Sequence, residues 1–195
     1  MAMIAAVAIG VPFSAWGAIY PTNTWLQVGP VAFLIPVAYW ALRRYPISDR
    51  SAACIAAFVV LHLFAARWSY SFVPYDAWTD GAISAAFGWE RNHFDRLVHF
   101  LFGMLAMPVM VELGVRYWEM SQRLAWVFAV SFVLAVGGLY EIFEWTLTLT
   151  LAPEDAGAYN GEQGDIFDAQ KDMALAGLGA LLMVPWLSRT AWWRG

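Results

Sequence analysis

The stretch QGDIFDAQKDMALAGLGALLMVPWL, residues 163–187, joins an acidic segment to a run apolar enough to lie in a lipid bilayer. Read as one helix, it puts Asp165, Asp168 and Asp172 on the same face, at positions i, i+3 and i+7. An ionised side chain inside a bilayer costs about 2.5–3.5 kcal/mol on insertion scales. Three of them at the start of an apolar helix therefore indicate one wall of a cation site, or a helix N-terminus where negative charge is favoured.

The composition of the whole chain is that of a membrane protein. Of its 195 residues, 61% are hydrophobic and 13% are charged, and the mean hydropathy is +0.56. A soluble domain has about 45–50% apolar and about 25% charged residues. The net charge of −4 offers no cationic surface for nucleic acid. Because the composition is that of a membrane protein, membrane lipid is the expected partner. A single cysteine excludes a disulfide framework and a Cys-based zinc motif.

Hydropathy predicts an all-α, polytopic membrane bundle of about six transmembrane helices, forming one membrane domain over residues 1–195. The predicted spans are residues 2–20, 25–42, 51–66, 97–115, 124–147 and 170–188. Because no basic segment precedes the first apolar run, we expect it to be a retained span rather than a cleaved signal. Two long connections, 67–96 and 148–169, separate spans three and four and spans five and six.

The positions of arginine and lysine predict the orientation of the bundle. One set of connections and the C-terminus carry seven of these residues: Arg43, Arg44, Arg50, Arg116, Arg123, Arg189 and Arg194. The opposite segments carry four: Arg67, Arg91, Arg96 and Lys171. Because basic residues favour the cytoplasmic side, we expect both chain ends in the cytoplasm and both long connections on the outer side.

Polar residues gather at the outer ends of the last three predicted spans. In ERNHFDRLVHF, residues 90–100, Asn92, Asp95 and His99 again have the i, i+3, i+7 spacing. In LYEIFEW, residues 139–145, Glu141 and Glu144 lie one turn apart. Together with the aspartates of 163–172, these helix faces should meet at one depth near the outer surface.

Clustered carboxylates repel one another in a membrane unless protons or a cation neutralise them. Asp, Glu and His together suit Zn, Mn or Fe, and carboxylates alone suit Mg or Mn, so we predict a divalent-cation site. The predicted metal ligands are Glu141, Glu144, Asp165, Asp168 and Asp172. The candidate catalytic residues are His93, Asp95 and His99, since a neutral imidazole can act as a ligand or a base. The candidates for binding an anionic substrate are Arg67, Arg91, Asn92 and Arg96.

Several of these assignments have a structural alternative. Asp95 can form an ion pair with Arg91 and Arg96 instead of serving catalysis. His99 can be a buried histidine with satisfied hydrogen bonds, and His93 a solvated surface residue. Outside the cluster, Glu112 lies about 20 Å from His99 along the same helix, and we expect it to pair with Arg116.

The motifs RNHFDRLVHF, YEIFEW and QGDIFDAQKDM together resemble the YjdF-like family of small bacterial inner-membrane proteins. The resemblance covers His62 to Leu182 and implies a multi-pass protein of the bacterial inner membrane. It singles out Arg91, Asn92, His93, Asp95, Arg96, His99, Tyr140, Glu141, Glu144, Gln163, Gly164, Asp165, Asp168, Gln170 and Asp172. The chain departs from the family pattern at Arg67, where a histidine is expected, and at Phe102, where a glutamine is expected. A fainter likeness joins its C-terminal part to VanZ-like proteins.

Neither resemblance supplies a reaction, so the functional hypotheses rest on the residues. The leading hypothesis is a metal-dependent enzyme that acts on a lipid or lipid-linked phosphate at the outer leaflet. One alternative is a non-catalytic transporter, metal-binding protein or proton relay, since intramembrane carboxylates and histidines are typical of such pathways. Another is an accessory or scaffold subunit whose polar cluster locks its helices together. The sequence has no second polar cluster toward the cytoplasm, which disfavours transport.

Overall fold

A computed structural model describes residues 2–151 and 153–189, and the expected all-α bundle is confirmed over these residues. The α-helices are α1 (Ala2–Ala15), α2 (Pro21–Arg44), α3 (Asp49–Ala66), α4 (Ala82–Phe87), α5 (Phe94–Tyr117), α6 (Gln122–Thr148), α7 (Pro153–Asn160) and α8 (Asp168–Arg189). A single 3-10 turn, Ala77–Thr79, precedes α4. Arg194, which contributes to the predicted orientation, lies outside the described residues.

Four described helices, α2, α3, α5 and α6, are long and apolar enough to cross a membrane. The first predicted span is shorter than expected, because Gly17 has a left-handed φ of 65° and Pro21 opens the next helix. The resulting α1 has 14 residues, which measure about 21 Å against a hydrocarbon core of about 30 Å. The predicted sixth span corresponds to α8, whose first turn is acidic.

The six longer helices alternate in direction, as a six-span topology requires. For example, Ser51 at the start of α3 donates to Glu112 near the end of α5, with 2.6 Å between the oxygens. Further along, the rings of Phe58 on α3 and Phe102 on α5 lie 5.2 Å apart, so the two helices are antiparallel. Both long connections therefore lie at one end of the bundle, and the first and last described residues lie at the other.

The contact between α5 and α8 is a backbone contact, and these two helices run in the same direction. A Cβ atom added to Gly103 would lie 1.9 Å from the carbonyl oxygen of Ala176, and one added to Gly179 would lie 2.1 Å from that of Phe100. Only glycine allows helix backbones to approach so closely. The contact holds the N-terminal turns of α5 and α8, which carry the polar residues, side by side.

Two predicted helix positions are wrong. Asp165 lies in a turn before α8, because Gln163 and Gly164 have left-handed φ angles of 47° and 85° that no helix accommodates. Asn92 lies before α5, because its side-chain oxygen accepts a hydrogen bond from the backbone N–H of Phe94 at 2.9 Å. Such local side-chain bonds compete with helix formation. In each predicted i, i+3, i+7 set, only the second and third residues therefore lie on the helix: Asp95 and His99 on α5, and Asp168 and Asp172 on α8.

Glu112 is fully buried at the opposite end of the bundle and has the partner that was expected. Its Oε1 accepts from Arg116 at 3.0 Å and from the backbone N–H of Ser48 at 2.7 Å. Its Oε2 accepts from the hydroxyls of Ser48 and Ser51 at 2.7 and 2.6 Å. This carboxylate joins the N-terminus of α3 to α5, and its hydrogen bonds explain its burial without a bound ligand.

Candidate metal centre

Asp95 and His99 lie one turn apart on α5 and face Asp172 on α8. All three are buried, and one ligand atom from each lies within 4.8 Å of the other two. The Nε2 atom of His99 is 3.6 Å from Oδ1 of Asp95. The alternative considered for Asp95, an ion pair with Arg91 or Arg96, is not found among the described residues. The Oδ1 atom of Asp172 has no hydrogen-bond partner in the described structure. A buried carboxylate oxygen of this kind suits a cation.

Two glutamates of α6 lie next to these three residues. The Oε1 atom of Glu141 is 3.8 Å from Nε2 of His99 and has no hydrogen-bond partner among the described residues. Glu144 is half-buried one turn further on and interacts electrostatically with the side chains of Tyr140 and Tyr159. Glu141 is therefore close enough to His99 to be a candidate for a fourth ligand, whereas Glu144 lies one turn further along α6.

The other two predicted metal ligands, Asp165 and Asp168, are paired with cationic side chains. Arg91 Nη1 lies 2.7 Å from Oδ1 of Asp168, and Arg96 Nη2 lies 2.9 Å from the same oxygen. Arg96 and Lys171 each lie 2.5 Å from Oδ2 of Asp165. The hydrogen bond from Lys171, together with that from Arg96, holds the pKa of Asp165 well below its usual range. The structure thus contains two separate groups. The ion-paired group consists of Arg91, Arg96, Asp165, Asp168 and Lys171. The group around His99 consists of His99, Asp95 and Asp172.

Asn92 and His93 hold the segment before α5 in place. The side-chain nitrogen of Asn92 donates to the carbonyl of Val73 at 2.8 Å, and its oxygen caps the backbone N–H of Phe94. The Nδ1 atom of His93 is 3.3 Å from Nη1 of Arg96. Burial and the charge of Arg96 lower the pKa of His93, so its ring is neutral at pH 7. Both residues border the ion-paired group rather than the three residues around His99.

Arg67 lies away from the cluster that it was expected to join. Its Nη1 atom donates to the carbonyl oxygen of Phe13 on α1 at 2.9 Å. Its guanidinium group lies over the rings of Phe13 and Trp68, at 4.9 and 5.3 Å from their centroids. Arg67 therefore joins α1 to the end of α3, and the structure does not bring it together with Arg91 and Arg96.

The structure adds a pair, His62 and Tyr70, whose contact the sequence did not indicate. Nε2 of His62 donates to the backbone carbonyl of Gln27 at 3.1 Å, so Nδ1 carries the lone pair and accepts from the Tyr70 hydroxyl. Burial and the charge of Asp95 raise the pKa of Tyr70, which keeps this hydroxyl protonated. Ser69 and Tyr70 both have left-handed φ angles, which turn the chain back over the helix ends.

Tyr159 was also missed, because it lies in the connection 148–169, in which no site residue before Gln163 was singled out. The helix α7 that carries it begins with Pro153, and Glu154 and Asp155 follow in its first turn. Proline at the first position and acidic residues in the first turn are typical helix-start signals. These residues predict a helix here, although nothing in them indicates that Tyr159 reaches Tyr140.

Residues 1–192 match the family described as "Predicted membrane protein (DUF2238)". The chain belongs to this family. It is also 32% identical over 168 residues to the Inner membrane protein YjdF of Escherichia coli (strain K12), a match that covers 85% of this chain and 78% of that protein. These findings confirm the resemblance carried by the three motifs. No solved structure matches the chain.

Membership in the DUF2238 family makes this chain a multi-pass membrane protein, in agreement with its helices. The motifs that carried the resemblance are those that meet at one end of the bundle. RNHFDRLVHF supplies Asp95 and His99, YEIFEW supplies Glu141, and QGDIFDAQKDM supplies Asp172. The family description states no reaction, so the chemistry of the site rests on these residues and their geometry.

Proposed function

We propose that this DUF2238 protein binds a divalent cation between α5 and α8, with Asp95, His99 and Asp172 as ligands and Glu141 as a fourth. The observation that carries the proposal is the buried group of three ligand atoms within 4.8 Å of one another, combined with the unpartnered Oδ1 of Asp172. Two carboxylates with one imidazole favour Zn, Mn or Fe over Mg, which prefers oxygen ligands and water.

The distances support this proposal. Two ligands that each lie about 2.1 Å from one metal ion are at most about 4.2 Å apart. The separation of 3.6 Å between His99 and Asp95 already satisfies this limit. The separation of 3.8 Å between His99 and Glu141 also satisfies it. The ligand atom of Asp172 lies within 4.8 Å of the other two, so a side-chain rotation that brings it within about 4.2 Å of them would place it in the same coordination sphere.

The balance of charge supports the proposal independently. Arg91, Arg96 and Lys171 form ion pairs with Asp165 and Asp168. These pairs neutralise most of the positive charge of the three side chains. The carboxylates of Asp95, Asp172 and Glu141 then lie together with one histidine. Three such carboxylates repel one another strongly in a low-dielectric interior. A divalent cation neutralises two of these charges at once, whereas protons neutralise one each.

We further propose that the cation centre acts on a lipid or lipid-linked phosphate, in the bacterial inner membrane and on its outer side. A bound cation there would polarise a phosphoryl oxygen and neutralise developing charge. The Nδ1 atom of His93 faces Nη1 of Arg96 at 3.3 Å, beside the ion-paired group, so the proposal assigns no proton transfer to His93. The inner-membrane location follows the name of the E. coli relative, and the outward orientation follows the arginine distribution.

The test is direct measurement of bound cation on the full-length protein, purified in mild detergent and dialysed against Zn, Mn, Fe or Mg. We expect about one transition-metal ion per chain, with binding lost in Asp172→Asn and in His99→Gln. Asp165→Asn is the matched control, because it also removes one acidic charge in this region, but from the ion-paired group. It should keep its metal.

Two results would contradict the proposal. The first is a native chain that holds no cation after loading with each of the four metals. The second is loss of metal in Asp165→Asn to the same degree as in Asp172→Asn, which would move the site to the ion-paired group. A native chain without metal would favour the scaffold role, in which the ion pairs of Arg91 and Arg96 lock α5 to α8.

A further inference from the structure

A cavity of about 200 Å³ lies directly beside the proposed cation centre. Its floor is α5 and its walls are α3 and α6, each of which packs on α5 more extensively than on the other. The cavity therefore opens sideways, between two helices that are long and apolar enough to cross a membrane. In a bilayer, an opening between spanning helices faces lipid chains rather than water.

The lining of the cavity changes with depth. The apolar layer consists of Phe58, Phe102 and Val136. The polar layer lies one helical turn nearer the two long connections and contains His62, Tyr70, His99 and Tyr140, with Val98 beside them. His99 belongs to both the polar layer and the cation centre, so the cavity adjoins that centre. The two layers match a molecule whose polar group lies at the cation and whose apolar chain lies in the apolar layer.

The volume decides how much of such a molecule fits. An apolar cavity of about 150 Å³ stays dry and accepts a benzene molecule. A cavity of 200 Å³ therefore accommodates several carbon atoms of a chain, although not a whole lipid. The remainder of the molecule would extend through the opening into the bilayer. Phe102, at which the chain departs from the expected glutamine, contributes to the apolar layer and makes this part of the cavity suit hydrocarbon.

We propose that the cavity binds the first carbons of one acyl chain of a membrane phospholipid, and that the phosphate head group lies at the cation centre. This inference rests on the proposed function and names its substrate class. The lipid enters laterally between α3 and α6, so it need not leave the bilayer. The cation attracts the phosphate, and the apolar layer selects for the chain.

The test uses the full-length protein in nanodiscs that contain a phosphatidylglycerol with a photoreactive diazirine close to the carbonyl of one acyl chain. Illumination should label peptides from α3, α5 and α6 around Phe58, Phe102 and Val136. Val136→Trp and the milder Val136→Phe fill the cavity and should lower this labelling about tenfold, since the chain loses burial of several methylene groups. Leu139→Trp is the matched control, because Leu139 lies on the same helix but is exposed.

Metal content of the same samples separates the two proposals. Labelling that is spread along exposed helix faces, or that Val136→Phe leaves unchanged while the chain holds its cation, would overturn the cavity proposal alone. A native chain without cation would overturn the proposed function, and the inference with it. An unlabelled polyprenyl phosphate that displaces the probe better than unlabelled phosphatidylglycerol would overturn the assignment to an acyl chain. Localised, cation-dependent labelling that Leu139→Trp retains would support it.

Discussion

Substitution of Gly103 by alanine is expected to separate α5 from α8 and thereby destabilise the protein. The added Cβ atom would lie 1.9 Å from the carbonyl oxygen of Ala176, and real Cβ contacts are essentially never shorter than 3.0 Å. The difference, 3.0 minus 1.9, requires a movement of at least 1.1 Å. The obstructing atom belongs to a helix backbone, which cannot rotate aside as a side chain can.

The expected magnitude follows from two opposing effects. Overpacking a well-packed contact costs about 1–3 kcal/mol, and we take the upper end because backbone must move. Replacement of glycine by alanine within a helix returns about 1 kcal/mol. The net loss of about 2 kcal/mol should lower the thermal midpoint by about 4–8 °C in a chain of this length. Gly29→Ala is the control, because nothing lies within 4 Å of its added Cβ, and it should stabilise slightly.

The assay is thermal unfolding of both variants in the same detergent, followed by measurement of cation binding. Metal sites tolerate errors of only about 0.2 Å in ligand distances, so Gly103→Ala should also weaken binding at least tenfold, which is about 1.4 kcal/mol. Equal midpoints for Gly103→Ala and Gly29→Ala would refute the backbone contact between α5 and α8. A lower midpoint with unchanged cation affinity would refute the claim that this contact positions the ligands.

Two further predictions concern the ion pairs. Glu112→Ala should cost about 2–4 kcal/mol in unfolding free energy, because it leaves the serine donors without their buried acceptor. Arg116→Ala should cost less than about 1 kcal/mol, since that side chain is 42% exposed, and equal losses in denaturant titrations would contradict this ranking. Because the folded pKa of Asp165 is lowered, its stabilisation is fully present above its unfolded pKa and is lost as pH falls through the lower folded value. Asp165→Asn should therefore flatten the acid limb of the stability–pH curve, and an unchanged limb would show that Lys171 and Arg96 do not hold this carboxylate.

Much of the fold follows from local properties of the chain. Apolar length identifies the helices, and the predicted boundaries of the second to sixth spans agree with the structure within four residues. The exceptions have local causes that hydropathy does not detect. Gly17 ends α1 early, and the left-handed residues Gln163 and Gly164 keep Asp165 out of α8. Hydropathy reports only how apolar a segment is, so it does not predict the backbone conformation at such turn positions.

The sequence by itself determined that three motifs would bring acidic and histidine side chains to one end of a helical bundle, because helix length and alternating direction set the depth of every residue. Only the tertiary structure decided how those side chains are grouped. The glycine contact between α5 and α8 brings Asp172 to Asp95 and His99, while Asp165 and Asp168 pair with arginine and lysine. The depth of a residue in the bundle is set by its position along its own helix. Which side chains meet depends on the rotation and separation of two helices, which small residues on both helices control.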